Sequence, residues 1–410
     1  MNQTPVHAPL TQFRVVNDRL IIGGNSVEQL AAQVGQTPFY VYERQAMRQR
    51  VEQLRTLLPP RVSVHYAIKA NPMPAVVAQM ARMVDGLDVA SLGELQVAIG
   101  SGMPAAEISF AGPGKGDTEL RGAIAAGVTI NLESAGELER ALRIGQDLGT
   151  TPNLAVRVNP DFELKSSGMK MSGGPKPFGI DAEVVPEVLA RIGETAAHFR
   201  GFHIYSGSQN LRPDSLIDAQ DATFKLAYRL AEQAPSAVEM LNIGGGFGIP
   251  YFPGEQRLDL RPVCANLAKR VDECRQRLGG VDIVIELGRY LIAEAGAYVC
   301  RVIDKKVSRG LTYLVTDGGL HHHLAASGNF GQVIRKNYPV VTAHAVHDGP
   351  RETVSVVGPL CTPLDILSGK MALGKAGVGD LIVVLQSGAY GYTASPHLFL
   401  GHPAPRQILV

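Results

Sequence analysis

Short apolar runs recur between residues 64 and 287, at 64–69, 87–90, 108–111, 129–132, 154–158, 201–205, 240–243 and 283–287. Runs of this length, bounded by Gly, Pro, Asn or Asp, read as buried strands. The segments between them carry apolar residues at helical spacing, most clearly at 92–99, 135–148, 184–196, 215–233 and 262–278. Two of these helices open on Ser91-Leu-Gly-Glu94 and Ser134-Ala-Gly-Glu137. Both fit a capping box, in which Ser and Glu satisfy the orphan amides of the first turn. Strands alternating with helices predict a parallel sheet, and eight of them predict an α/β fold closed as a (β/α)8 TIM barrel. The competing doubly wound sheet needs a phosphate fingerprint in its first strand–helix turn, and none stands there.

Past residue 291 the helical rhythm stops. Runs at 297–302, 313–316, 340–343, 353–357 and 381–385 read as strands between Gly, Pro and Asp turns, which predicts a C-terminal β-sandwich or β-barrel domain. Strand-like pieces at 13–16 and 19–22, with the turn Gly23-Gly24-Asn25, are expected to join it. The predicted division is a barrel over 36–291 and a β domain built from 1–35 and 292–410.

A length of 410 residues agrees with two domains. With 39 basic against 38 acidic residues the net charge is +1, which gives no electrostatic reason to expect nucleic acid or a membrane as partner. Residues 1–20 lack an apolar core of signal-peptide length, and no run approaches a membrane span. Cys264, Cys274, Cys300 and Cys361 show no paired spacing, so neither a disulfide framework nor a zinc site is implied. A cytoplasmic enzyme is the expectation.

In a barrel of this kind the carboxyl ends of the strands face one site. Those ends carry Lys69, Asp88, Pro113, Glu133, Arg157, His203 with Ser206, Gly244-Gly245-Gly246, and Glu286 with Arg289. Lys69 ends Val64-His-Tyr-Ala-Ile-Lys69 and is stopped by Asn71-Pro72. Such a lysine either snorkels to water or, desolvated, has a lowered pKa and forms a Schiff base with an aldehyde. The glycines at 244–246 make either a flexible turn or a cradle of backbone N–H groups for a phosphate. Glu286 ends an apolar strand and needs a partner, either Arg289 or a protonated ring nitrogen. His203 is a core histidine or a plate stacked on a planar ring. Together these groups describe a site for pyridoxal phosphate, with the lysine on the aldehyde, the glycines on the phosphate and the carboxylate keeping the pyridine nitrogen protonated.

The chain resembles the fold-type III pyridoxal-phosphate decarboxylases, the family of diaminopimelate and ornithine decarboxylases, over nearly its whole length. The likeness rests on Tyr66-Ala-Ile-Lys69-Ala-Asn71, His203 with Ser206, Gly244–Gly246, Glu286-Leu-Gly-Arg289, Gly358-Pro-Leu-Cys361 and Gly388-Ala-Tyr390. It implies an alanine racemase-like plan, a Schiff base on Lys69 and His203 stacked on the cofactor. It further implies that Ser206, Gly244, Gly245, Gly246, Arg289 and Tyr390 surround the phosphate, that Glu286 meets the pyridine nitrogen, and that Asp88 and Arg157 support the cofactor. Cys361 matches a cysteine that the partner subunit supplies to protonate the carbanion, so a homodimer with shared sites is implied.

Three departures bear on the substrate. The family carries an acid after this cysteine for the substrate's distal amine, whereas Thr362 stands here, with Asp365 three positions on. A hydroxyl cannot neutralise a desolvated ammonium. The run Asp317-Gly-Gly-Leu-His321-His322-His323 replaces the usual Asn-Asp and Arg-Pro pairs. Neighbours on a strand point to opposite faces, which is poor chelate geometry, so no metal is expected. Arg335 and Tyr338 are candidate contacts for a substrate carboxylate or phosphate. The loop 166–179 has Pro177 before Phe178-Gly179, with Lys176 displaced by one, and is a candidate lid. With the ending His397-Leu-Phe-Leu-Gly-His402-Pro, these departures resemble the exosortase-associated subgroup, similar to decarboxylases of amino acids held on a carrier protein. The reading is a decarboxylase of an α-amino acid modified or carrier-bound at its distal end. The alternatives are diaminopimelate decarboxylase, a racemase (which Glu286 disfavours) and a catalytically silent pyridoxal-phosphate-binding regulator.

Overall fold

The computed structural model describes residues 5–9, 11–162, 169–170 and 173–410, with 169–170 described by backbone only. Part of the candidate lid, residues 166–168 and 171–172, lies outside the described residues. The chain divides into two compact units. One comprises Met1–Arg50, Pro250–Arg257 and Arg289–Val410, the other Val51–Ile249 and Leu258–Gly288.

In the second unit, parallel strands close on themselves. Val62–Ala67 pairs with Gly86–Val89, followed by Ile108–Phe110, Thr129–Leu132, Asn153–Asn159, His198–Ile204, Met240–Gly245 and Asp282–Leu287, which pairs back with Val62–Ala67. All eight expected runs are strands of this barrel. Their residues are buried on both sides, as strands between a filled interior and a helical shell must be. Lys69 falls outside the strand expected to carry it. Its strand ends at Ala67, and Ile68–Ala70 forms a 3-10 turn closed by the Asn71 amide on the Ile68 carbonyl at 2.9 Å. Asn71 is extended because Pro72 follows, so the turn cannot continue into a helix.

Ser91 and Ser134 cap their helices as expected, accepting the amides of Glu94 and Glu137 at 3.2 and 3.1 Å. The reciprocal arms differ from the expected box. Glu94 accepts the Ala90 amide at 2.7 Å, and Glu137 pairs with buried Lys115 at 2.9 Å. A complete box does form at Ser26-Val-Glu-Gln29, opening the helix Val27–Val34 inside a stretch whose strand-like pieces masked it.

In the first unit the long strand Gly296–Ser308 organises the sheet. It pairs with Phe39–Tyr42 and Leu381–Val384, and farther along with Leu311–Thr316. Arg351–Val357 and Ile366–Gly374 continue past Leu311–Thr316, while Arg406–Leu409 flanks Phe39–Tyr42. The early strands Arg14–Val16, Arg19–Ile22 and Asn25–Ser26 make a small sheet of their own. Leu20 and Ile22 from that sheet share one buried cluster with Phe39, Val41, Val299 and Val383, so the amino-terminal segment is part of this unit's core.

Candidate active site

Three strand ends of the barrel unit converge on one carboxylate. Glu286 is buried at the end of Asp282–Leu287. Its Oε2 lies 3.1 Å from His203 Nε2, and its Oε1 lies 3.8 Å from Lys69 Nζ. Burial alone would push the Glu286 carboxyl up. The His203 imidazole, with the charges of Lys69 and Arg157, more than offsets this and holds it below the usual carboxylate range. The carboxylate therefore stays ionised in an apolar strand. His203 is 2% exposed and meets the Tyr205 ring edge-on at 6.4 Å. Lys69 is not desolvated, since its side chain is 44% exposed, with Nζ 5.9 Å from the centre of the Tyr205 ring. The sequence marked Lys69, His203 and Glu286, and the fold brings all three together. Tyr205 was missed, though it stands two residues after His203 in the same segment.

Below this group lie buried ion pairs. Arg157 Nη1 donates to Glu133 Oε1 at 2.7 Å, and Glu133 also accepts the amides of Gly112 and Gly179 at 2.6 Å each. Burial would raise the Glu133 carboxyl, but Arg157 and these bonds keep it below the usual carboxylate range. Asp88 Oδ1 accepts the Ser109 hydroxyl at 2.6 Å and stands 3.2 Å from His65 Nδ1. Burial would lower the His65 imidazole, yet the Asp88 carboxylate raises it instead. Asp88 and Arg157 thus face fixed partners across neighbouring strands rather than Lys69 directly.

The glycine run makes a tight cradle. Gly244 and Gly246 have φ of +67° and +73°. A Cβ on Gly246 would come within 2.5 Å of the Gly207 carbonyl, and one on Gly245 within 2.5 Å of the Glu286 carbonyl. Ser206, Gly207, Asn210, Gly244, Gly245 and Phe247 line a small cavity beside it. Backbone packed this closely, with the buried hydroxyl of Ser206 beside it, is dimensioned for a small anion.

In the first unit, Arg289 is wrapped in aromatic rings. Its guanidinium carbon lies 4.6 Å from the Tyr390 ring centre and 5.4 Å from that of Tyr251, and Nη1 donates to the Tyr251 oxygen at 3.3 Å. Tyr338 packs on Tyr251 at 4.5 Å. Among the described residues Arg289 forms no ion pair with a carboxylate. Tyr251 was missed by sequence reasoning; its one signal is an aromatic following Gly248-Ile-Pro250 in a stretch without periodicity.

Cys361, Thr362 and Asp365 share a turn. Cys361 is exposed. Asp365 is buried, and its two oxygens accept the amides of Leu320 and Leu360 at 2.6 and 2.8 Å. Burial pushes its carboxyl up, against those bonds. Glycine at 319 and 358 is required here, because a side chain at either would strike the carboxylate. Arg335 donates to the carbonyls of Ser327 and Ile366 at 3.0 and 2.9 Å and to Asn337 Oδ1 at 3.0 Å, so much of its donor set holds its own loop. His321–His323 lie in turns, not on a strand. Among the described residues no group of three or more His, Cys, Asp or Glu side chains is arranged to hold a metal ion.

Comparison with known proteins places this geometry. A family described as the pyridoxal-binding domain of pyridoxal-dependent decarboxylases matches residues 44–293. The L-glutamyl-[BtrI acyl-carrier protein] decarboxylase of Niallia circulans is 38% identical over 91% of this chain and 89% of that protein. The 2-[(L-alanin-3-ylcarbamoyl)methyl]-2-hydroxybutanedioate decarboxylase of Staphylococcus aureus is 31% identical over 93% and 96%. The crystal structure of diaminopimelate decarboxylase from M. jannaschii superposes with a TM-score of 0.86 at 25% identity, covering 97% of this chain and 92% of that one. A barrel whose strand ends gather a lysine, a histidine, an ionised glutamate and a glycine cradle is thus the barrel of these enzymes, and the chain belongs to the pyridoxal-dependent decarboxylase family.

Proposed function

We propose that this pyridoxal-phosphate enzyme removes the α-carboxylate of an amino acid whose side chain is conjugated at its far end, as a thioester on a carrier protein or as an amide. One observation carries the reading. The turn that would neutralise a distal ammonium offers Thr362 and an Asp365 whose two oxygens already accept backbone amides. The two relatives named above support it, because one acts on an L-glutamyl group held on an acyl-carrier protein and the other on an L-alanine substituted at C3 through a carbamoyl link.

The residues fit the cofactor. The cradle at Gly244–Gly246 would be filled by any Cβ, and a buried, ionised Glu286 beside His203 and Lys69 could keep a proton on a ring nitrogen. When bound, pyridoxal phosphate supplies the electron sink for the pair left at Cα as carbon dioxide departs. Lys69 would hold the aldehyde, Glu286 would keep a proton on the pyridine nitrogen, and His203 would orient the ring. Arg157 and Asp88 hold the supporting charges. Ser206 and the glycines bind the phosphate, as do Arg289 and Tyr390. Tyr338, Arg335 and the turn at Thr362 border the substrate. Cys361, exposed in the single chain, delivers its proton to the site of a second copy, which makes the enzyme a homodimer. The division into a barrel over 36–291 and a β domain belongs to the same reading, as does a cytoplasmic location. No helix among the described residues is long and apolar enough to cross a membrane.

Carbon dioxide release tests the substrate. L-Glutamate held as a thioester on a carrier or on pantetheine is expected to turn over. Free diaminopimelate, ornithine, lysine and glutamate are expected to stay near background. Robust turnover of free diaminopimelate or ornithine would overturn the reading.

A further inference from the structure

The chain leaves the barrel unit at Ile249 and re-enters it at Leu258, and the eight residues between form a strap that belongs to the other unit. The strap has no helix or strand of its own, yet it supplies Tyr251, one wall of the Arg289 cage. It is tied down at three points. Gln386 Nε2 donates to the Pro250 carbonyl at 3.1 Å. The Gly254 amide donates to the Val6 carbonyl at 2.8 Å. Arg257 pairs with Glu294 at 2.9 Å and donates to the Pro9 carbonyl at 2.9 Å. Glu294 is 4% exposed and also pairs with Arg50, so the anchor itself is buried and shared by two guanidinium groups.

Gln386 has a second attachment. It is fully buried, takes φ of +55°, and begins the turn that ends on Tyr390, itself at φ +53°. Two non-glycine residues held in the left-handed region within five positions mark a turn fixed by its surroundings. One side chain therefore links the strap that carries Tyr251 to the turn that carries Tyr390, the two rings between which Arg289 is held.

We propose that Gln386 and Arg257 are positioning residues that set the Arg289 guanidinium for an anion; this rests on the reading above, in which the anion is the cofactor phosphate. A planar guanidinium recognises phosphate by the direction of its N–H groups as well as by charge, so a slack cage wastes it even when the charge remains. Neither residue touches the anion. Their loss spreads the orientations of Arg289 without removing it.

The test uses the full chain with Gln386→Met, which keeps length and burial, and Arg257→Gln, whose 39% exposed side chain can change without unfolding the unit. Arg289→Met serves as the reference. Each variant is titrated with pyridoxal phosphate and with pyridoxal, which lacks the phosphate, and its melting temperature is recorded. Arg289→Met is expected to weaken pyridoxal phosphate by about 10²-fold and pyridoxal by less than about twofold. The two positioning variants are expected to weaken pyridoxal phosphate alone by about tenfold. Unchanged pyridoxal phosphate binding in both, with Arg289→Met still selective, overturns the inference. Equal weakening of both ligands also overturns it, since a merely structural role would act on both. An Arg289→Met variant that fails to discriminate the two ligands overturns the underlying reading instead.

Discussion

The strand ends of the barrel unit and the histidine turn of the other unit handle buried polar groups in opposite ways. In the barrel, charges are kept. Glu286 faces His203 and Lys69, Glu133 faces Arg157, and Lys115 faces Glu137 with both side chains 1% exposed. In the other unit, the cluster around His321–His323 is neutral. His323 Nδ1 accepts the Ala326 amide at 3.2 Å, which leaves Nε2 to donate to Ser387 Oγ at 2.9 Å. His322 Nε2 donates to the Pro403 carbonyl at 3.0 Å, which leaves Nδ1 to accept the Tyr298 hydroxyl at 3.2 Å. His321 lies on the His322 ring at 3.7 Å with both nitrogens buried and without a hydrogen-bond partner among the described residues. Opposite charges brought together at strand ends and in the segments that follow them let the barrel keep these buried groups ionised. Among the described residues no carboxylate pairs with the three imidazoles, since Asp365 beside them is taken up by the Leu320 and Leu360 amides, so the turn excludes charge.

Glu286→Gln should break the charged side hardest. Losing one preorganised electrostatic partner typically costs about 10²–10³ in kcat, and turnover is expected to fall by that factor while the melting temperature moves little. A loss below about fivefold would mean the carboxylate is structural.

Acid should break the neutral side. Burial lowers His321 to about 4, and His322 and His323 to about 3, from an unfolded value of 6.5. The unfolded chain therefore takes up protons that the folded one refuses. Stability is full above pH 6.5 and falls as pH drops below it, by at most about 1.4 kcal/mol per histidine per pH unit. The raised pKa of His65 acts with the opposite sign, while the lowered His7 and His397 act with these three. Urea unfolding at steps between pH 7 and 5, above the carboxylate range, is expected to show a falling midpoint. His321→Leu, which removes an unpartnered buried ring, should flatten part of that slope and change stability at pH 7 by within about 1 kcal/mol.

What could be read from the sequence follows the same divide. Barrel strands announce themselves because burial on both faces demands continuous apolar runs, and the reactive groups at their ends stand out against them. The capping serines were equally legible, since a cap is local. Their glutamates were not. Glu137 abandons the box for Lys115, a residue 22 positions earlier in the chain, and only the fold can bring that lysine close. In the other unit, Asp365 and Arg335 read as substrate groups because an acid or a guanidinium in a loop looks available. Most of their hydrogen bonds go to backbone carbonyls and amides, attachments that no spacing rule reveals. Tyr251 sits on a strap without periodicity, so of the cage around Arg289 the Tyr390 wall was legible and the Tyr251 wall was not.

The central claim is that Lys69 is the residue that takes the cofactor's aldehyde. Loading the purified chain with pyridoxal phosphate, reducing with borohydride and mapping peptides by mass tests it directly. The phosphopyridoxyl group is expected on the peptide containing Lys69, with labelling and visible absorbance both lost in Lys69→Ala. Label on another lysine, or undiminished label in Lys69→Ala, would contradict the account.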